Sequence, residues 1–110
     1  MAFITICTNQ TVSPNQQTEI AKELGQAVAC VPNQSAERIL ITFDDKKAMV
    51  YRDTAPVALV TFRAFGNKNH LGYRELTARI SRILHRILGI ERERVFVEFG
   101  DITAFGVGDF

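Results

Sequence analysis

The sequence predicts an α+β fold built from a duplicated β-α-β unit, with a four-stranded mixed sheet and two helices on one face. Residues 37–45 resemble residues 93–101 without a gap, and the apolar positions upstream keep the same register. Four short segments are dominated by β-branched and aromatic residues, and two longer segments repeat apolar residues at helical spacing. We therefore expect a single domain over residues 1–110, with pseudo-repeats at about 1–56 and 57–110.

The strands are predicted from composition and alternation, at residues 2–8, 37–44, 57–65 and 94–100. In the second strand one face is purely apolar and consists of Ile39, Ile41 and Phe43. A strand–helix–strand connection makes the two strands of each unit parallel, and it is right-handed in nearly all known folds. Both helices should therefore cover the same apolar face of the sheet.

The first helix is predicted to begin at Pro14. Ser13 is a suitable N-cap, Pro14 suits the first helical position, and Gln16 completes a capping box. Pro32 and Asn33 should end the segment. Its apolar stripe consists of Ile20, Leu24, Ala27, Val28 and Val31.

The second helix has an equivalent stripe and a basic outer face. Gly89 is a suitable C-terminal stop, and Glu75 is placed to pair with Arg79 one turn later. We interpret the basic residues as a solvated helix face rather than a site for an anionic partner. The stripe is Leu76, Ile80, Ile83, Leu84 and Ile87, and the basic residues are Arg74, Arg79, Arg82, His85 and Arg86.

The other face of the predicted sheet is mixed and has no helix to cover it. A chain of 110 residues leaves no room for a further layer there. We expect self-association to cover this face, with segments 46–56 and 102–110 adding strands to a neighbour's sheet edge. Its apolar members are Leu40, Phe96 and either Phe62 or Phe65.

Composition and motifs exclude several classes of function. Thirteen Lys and Arg against twelve Asp and Glu give no global case for nucleic acid binding. Because there is no long apolar run and no signal peptide, we expect no membrane association and a cytoplasmic location. Cys7 and Cys30, like His70 and His85, lack metal-ligand spacing, so we expect reduced thiols and no metal site. Motifs for a cofactor are absent as well.

A set of short segments, taken in order, carries a resemblance to a known family: residues 1–9, 55–59 and 92–97, followed by Asp101 and residues 107–108. These segments span essentially the whole chain and resemble the macrophage migration inhibitory factor branch of the tautomerase superfamily. One further stretch, residues 38–42, is similar to the strand after the first helix of 4-oxalocrotonate tautomerase.

The resemblance implies a homotrimer in which three sheets surround a central axis, so that the mixed faces are covered. It also implies a pocket at each subunit boundary for a small α-keto or enol acid. In that pocket an N-terminal proline, freed by removal of the initiator methionine, acts as general base in keto–enol tautomerisation.

The chain departs from this pattern at the catalytic position, where Ala2 stands in place of proline. If Met1 is retained, the free amine belongs to Met1; if it is removed, Ala2 carries a primary amine with an ordinary pKa of about 7.7–8.0. Such an amine acts as a base near neutral pH only if its surroundings lower its pKa. The positive charge of Arg38 acts in that direction.

The resemblance also implies a set of substrate-binding residues. Arg38 matches the arginine that holds a substrate carboxylate and polarises the adjacent carbonyl in 4-oxalocrotonate tautomerase. The lysine that follows the first helix in the migration-factor branch corresponds to Asn33 or Gln34. The strand-four tyrosine and asparagine of that branch correspond to Phe96 and Glu98.

Several of these residues have a structural alternative. Arg38 would alternatively form an ion pair with Glu37, Asp44 or a neighbouring subunit's Glu98. Arg63 raises the same two possibilities. Glu98 is either a general base or one partner of an ion pair.

Phenylalanines form the last candidate group, with Phe65 and Phe96 as walls of the pocket. The alternative is an apolar core at the trimer interface, because an uncovered sheet face needs apolar filling. The group consists of Phe65, Phe96, Phe105 and Phe110.

Two classes of function remain open from the sequence. The first is a tautomerase that acts at most weakly on small α-keto acids, with the amine of Ala2 or Met1 as base and Arg38 as carboxylate anchor. The second is a non-catalytic trimeric binding or interaction protein on the same scaffold. Loss of the proline favours the second class, and retention of Arg38 favours the first.

Overall fold

The computed structural model describes residues 1–109; Phe110, predicted to lie in a pocket wall or an interface, is outside the described residues. Helices and strands follow one another as predicted, and the fold class is confirmed. In the described chain the strands are β1 (Ala2–Thr8), β2 (Ile39–Asp44), β3 (Ala58–Ala64) and β4 (Val95–Asp101), and the α-helices are α1 (Pro14–Ala27) and α2 (Tyr73–Leu88).

The start of α1 is confirmed in detail. The amide of Gln16 donates to the hydroxyl oxygen of Ser13 at 3.2 Å, and the amide of Ser13 donates to Gln16 Oε1 at 2.9 Å. The helix ends at Ala27, earlier than predicted, because the chain tightens into a 3-10 turn over Val28–Cys30 before it reaches Pro32.

A glycine in the left-handed conformation lies at each end of α2. Gly89 has a φ of 70° and ends the helix, as predicted, with its amide donating to the carbonyl of His85 at 3.0 Å. Gly72 has a φ of 81° at the N-cap position, where its Cα lies close to the backbone of Cys30.

The basic face of α2 is partly neutralised by carboxylates. Arg79 pairs with Glu75 at 2.7 Å, as predicted, and Arg86 pairs with Glu19 at 2.9 Å and with Glu23. The last two pairs join α2 to α1 across the outer surface. These contacts support the interpretation of a solvated helix face.

The sheet has the order β2-β1-β3-β4, and the two strands of each unit are parallel, as predicted. The central strands β1 and β3 are antiparallel and join the two units. Ala2 lies opposite Ile39 on one side and Ala64 on the other, while Ala58 lies opposite Val95. This register brings the beginnings of β1 and β2 level with the end of β3.

The core lies between the two helices and one face of the sheet. Phe62 is fully buried there, so its assignment to the uncovered face was wrong. The buried residues of β3 are Ala58, Val60, Phe62 and Ala64, and strict alternation therefore turns Phe62 toward the helices. Phe65, the other candidate, is 43% exposed. The sheet residues of the core include Ile4, Ile6, Val60 and Phe62, and the helical ones include Ile20, Leu24, Leu76 and Ile80.

We call the opposite side of the sheet the open face. Two irregular segments of the same chain pack on it: the Tyr51 ring lies 4.8 Å from that of Phe96, and Phe105 packs against Phe3. Pairing of these segments with a neighbouring copy stays a prediction. Exposed side chains on this face include Leu40, Leu59, Arg63, Phe96 and Glu98.

Candidate functional site

Three of the predicted site residues meet at the end of the sheet where β1 begins. The amide of Phe65 donates to the carbonyl oxygen of Met1 at 2.9 Å, which extends the β1–β3 ladder by one residue. On the other side of β1, the pairing of Ala2 with Ile39 places Met1 next to Arg38. Met1, Arg38 and Phe65 therefore lie on neighbouring strand ends.

The amine of Met1 is electrostatically suited to lose its proton. Burial lowers the pKa of this amine below its usual value of 8.0, and the positive charge of Arg38 lowers it further. A larger fraction of the amine is then neutral near pH 7. Ala2 itself is fully buried, with its side chain in the core, so only its backbone nitrogen borders the site.

Arg38 falls within the strand predicted at residues 37–44, but β2 begins one residue later, at Ile39. It is the last residue of a 3-10 turn, Ala36–Arg38, and is exposed. Within residues 1–109 it forms no ion pair, and Asp44, one of its predicted partners, pairs with Lys47 at 3.0 Å instead. Its guanidinium is therefore open to a ligand or to a neighbouring copy.

Two side-chain amides attach the loop after α1 to the end of β3. Asn33 Nδ2 donates to the carbonyl oxygen of Gly66 at 2.9 Å, and Gln34 Nε2 donates to that of Phe65 at 2.9 Å and that of Pro32 at 3.3 Å. Asn33 therefore holds the site wall and brings no charge to it. Sequence reasoning missed this role of Gln34, which is only 7% exposed, since no local pattern distinguishes it from Asn33.

Phe96 and Glu98 do not lie at this end of the sheet in a single chain. They are level with Leu59 and Thr61 of β3, and Thr61 donates its hydroxyl hydrogen to Glu98 Oε1 at 3.0 Å. Phe65 lies six residues beyond Leu59, or about 20 Å at about 3.3 Å per strand residue. Within one chain, Phe96 and Phe65 therefore do not line the same site.

The surroundings of Phe96 are apolar. Its ring and that of Tyr51 border an open pocket of about 320 Å³, which Leu59 and residues 49–50 also line. Val50, on the rim, is 76% exposed. The open face therefore carries an apolar surface at the end opposite to Met1.

A second pocket, of about 520 Å³, adjoins Phe65 on the side of β4. Ala64 and Ile102 line it together with Asp101, whose two carboxylate oxygens both lie 3.1 Å from His70 Nε2. Burial, and to a lesser extent the negative charge of Asp101, raises the pKa of the nearby Tyr73 hydroxyl. No local sequence pattern indicates this cluster, because His70 and Asp101 belong to different structural elements.

The part of the chain that the structure describes offers no cluster of three or more His, Cys, Asp or Glu side chains able to hold a metal ion. Among the helices of residues 1–109, none is long and apolar enough to cross a membrane.

Comparison with known proteins links this geometry to a family. Residues 1–109 match the family described as Macrophage migration inhibitory factor (MIF). No curated protein sequence is significantly similar to the chain.

Many solved structures resemble the fold, among them three from protozoa. The chain is similar to Leishmania major MIF2, with a TM-score of 0.87 and 20% identity over 97% of this chain and 93% of that one. It is also similar to the Toxoplasma gondii macrophage migration inhibitory factor, with a TM-score of 0.86 and 18% identity over 98% of this chain and 97% of that one. The macrophage migration inhibitory factor-like protein of Entamoeba histolytica has a TM-score of 0.80 and 15% identity, over 93% of this chain and 89% of that one. At these identities the likeness is one of fold.

Proposed function

The chain belongs to the macrophage migration inhibitory factor family, and from this premise we propose that it binds small α-keto or enol acids and catalyses their tautomerisation at most weakly. The observation that carries the proposal is the meeting of Met1, Arg38 and Phe65 at one end of the sheet. It combines an amine of lowered pKa, an arginine without an ion pair in the described chain and an apolar wall.

In the proposed site Arg38 binds the substrate carboxylate through two parallel N–H···O bonds. Its positive charge also stabilises the negative charge that develops on the adjacent carbonyl oxygen as an enolate forms. The neutral amine removes a proton from the carbon next to the carbonyl and returns it to the enolate oxygen. Phe65 packs against the apolar part of the acid.

Three replacements are the reason for expecting weak activity. A primary amine, of Ala2 or Met1, stands where the resemblance implies a secondary one. Asn33 brings a neutral amide, engaged with Gly66, in place of a lysine. Glu98 brings a negative charge in place of an asparagine, and that charge opposes the binding of an acid.

We further propose that the working unit is a homotrimer with a site at each subunit boundary. The separation between Phe65 and Phe96 supports this, because a second copy is needed to complete the set of residues. A trimer would also bury the exposed apolar residues of the open face, Leu40 and Leu59 among them.

The second candidate is a trimeric binding protein without catalysis. It is favoured by the replacement of the catalytic proline that the resemblance implies by Ala2. The two candidates share the binding site and differ only in turnover. An assay of tautomerisation beside a binding titration therefore separates them.

Arg38→Ala is the discriminating variant. Loss of a bidentate charged contact of about 1.5–3 kcal/mol should weaken the binding of pyruvate or its enol analogues by about ten- to a hundredfold. The melting temperature should stay unchanged, because Arg38 makes no ion pair within the described chain. Arg92→Ala, at another exposed arginine, is the matched control and should change neither quantity. Unchanged affinity in a stable, assembled Arg38→Ala protein would refute the anchor role.

A further inference from the structure

The chain after β4 returns across the open face toward Met1. We call residues 102–109 the C-terminal strap. Its first residue, Ile102, is only 5% exposed, and its amide donates to the carbonyl oxygen of Ala64 at 2.9 Å. The strap is therefore anchored next to the wall of the proposed site.

One ring of the strap, that of Phe105, rests on two other phenylalanines. Its centre lies 5.3 Å from that of Phe65, with 76° between the planes, and 6.2 Å from that of Phe3, with 85°. Both are edge-to-face contacts of the kind that aromatic rings prefer. The carbonyl of Met1 is hydrogen-bonded to the amide of Phe65, and the alternation along β1 puts residues 1 and 3 on the same face of the strand. Phe105, which packs against Phe65 and Phe3, therefore covers the apolar surface beside Met1.

Apart from the Phe105 ring, residues 103–109 of the strap make few contacts with the rest of the chain. Residues 103–109 make no hydrogen bond to residues 1–102. Phe105 is 40% exposed and Val107 is 54% exposed, and open space surrounds Gly106. The contacts of the Phe105 ring are therefore the main attachment of the strap beyond Ile102.

From this arrangement we infer that Phe105 sets the size of the acid that the site accepts. The inference rests on the proposed function and specifies its substrate class as α-keto acids with short alkyl substituents rather than aryl ones. Phe105 already occupies part of the surface of the Phe65 ring. An aryl group on the substrate that packs on this part must displace Phe105, whereas the methyl group of pyruvate leaves Phe105 in place.

The test compares two ligands on four proteins. Pyruvate and phenylpyruvate are titrated separately into the wild type, Phe105→Ala, Phe105→Leu and Val107→Ala, with light scattering to compare assembly. Phe105→Ala should raise the affinity for phenylpyruvate relative to pyruvate by about five- to tenfold, the equivalent of losing one or two edge-to-face ring contacts. Phe105→Leu should give a smaller rise, since it keeps an apolar contact without a ring. Val107→Ala, on the same strap, should leave the ratio unchanged.

Two results would overturn the inference, and they differ in what they say of the site. If both ligands bind but removal of the Phe105 ring leaves the ratio unchanged or lowers it, the ring does not limit size and the acid site stands. If neither ligand binds to any of the four proteins, the proposed function fails and this inference fails with it. Phe105→Leu provides the comparison if Phe105→Ala does not fold.

Discussion

Arg94 and Tyr51 are joined through both the backbone and the ring of the tyrosine. Arg94 Nη1 donates to the Tyr51 carbonyl oxygen at 2.9 Å, and its Cζ lies 5.2 Å from the centre of the Tyr51 ring. The same guanidinium donates to the carbonyl oxygens of Pro56 at 2.8 Å and Ala55 at 3.0 Å. One arginine thus holds a segment without regular structure on the open face, where Tyr51 contacts Phe96.

We expect Arg94→Lys to lower the free energy of unfolding by about 2 kcal/mol. An ammonium group is a single point of donation and cannot reach three carbonyl oxygens that match the guanidinium fork. Denaturant unfolding measures the change, and Arg92→Lys, at an exposed site in the same turn, should have almost no effect. Equal effects of the two substitutions would contradict the role given to Arg94.

Gly72→Ala should destabilise the protein more than Gly89→Ala. Both glycines have a positive φ, which costs an alanine about 1 kcal/mol. A Cβ at Gly72 would also overlap the carbonyl oxygen of Cys30, whereas Gly89 has open space around it. The overlap should add about 1–3 kcal/mol, so thermal melting of the two variants should differ clearly. Identical melting curves would show that the contact with Cys30 relaxes freely.

The α-amine of a chain that begins at Met1 should titrate at lower pH when folded. Its pKa is lowered by burial and by Arg38, so the fraction able to react with an acylating reagent rises at lower pH than in the unfolded chain. Lys47 should shift the other way, because its hydrogen bond and charge contact with Asp44 raise its pKa. The measurement is the midpoint of acylation rate against pH, read for each amine by peptide mapping. A folded midpoint at or above the unfolded one would contradict the amine prediction.

Restoring the proline should increase keto–enol tautomerisation of phenylpyruvate, which we expect to be weak or absent in the wild type. General acid–base groups contribute about 10²–10⁴-fold, so even a partial gain in Ala2→Pro with Met1 removed should be measurable. Ala2→Ser, processed in the same way, retains a primary amine and should show no gain. Vigorous wild-type turnover would refute the argument from the missing proline. A competent fold without a gain would place the defect at Asn33, Phe96, Glu98 or Phe105.

Light scattering should give a mass near three chains at micromolar concentration. The expected interface contains Leu40, which is 57% exposed on the open face, so Leu40→Asp should shift the mass toward that of one chain. Leu71, which is 56% exposed in the loop before α2, provides a matched control, and Leu71→Asp should leave the mass unchanged. A monodisperse wild-type monomer would contradict both the trimer and the site at its boundary.

Local interactions explain what the sequence could predict about the helices. The capping box of Ser13 and Gln16 and the end of α2 at Gly89 depend on residues within one helical turn, and both predictions are confirmed. Strand order within each unit was also predictable, because a connecting helix imposes parallel strands. The sequence alone therefore determined the fold class and the family resemblance.

Only the tertiary structure decided which face of the sheet Phe62 occupies and which residues pack against Phe65. The phase of β3 depends on its pairing with β1, because a shift of one residue exchanges the two faces of a strand. Likewise, Gln34, Phe65 and Phe105 meet through side chains and backbone groups that lie far apart in the sequence, and no periodic pattern connects them. Such contacts are set by packing between elements, so the family resemblance could group Arg38 and Phe65 with the N-terminus, but the contacts of Gln34 and Phe105 with Phe65 came only from the structure.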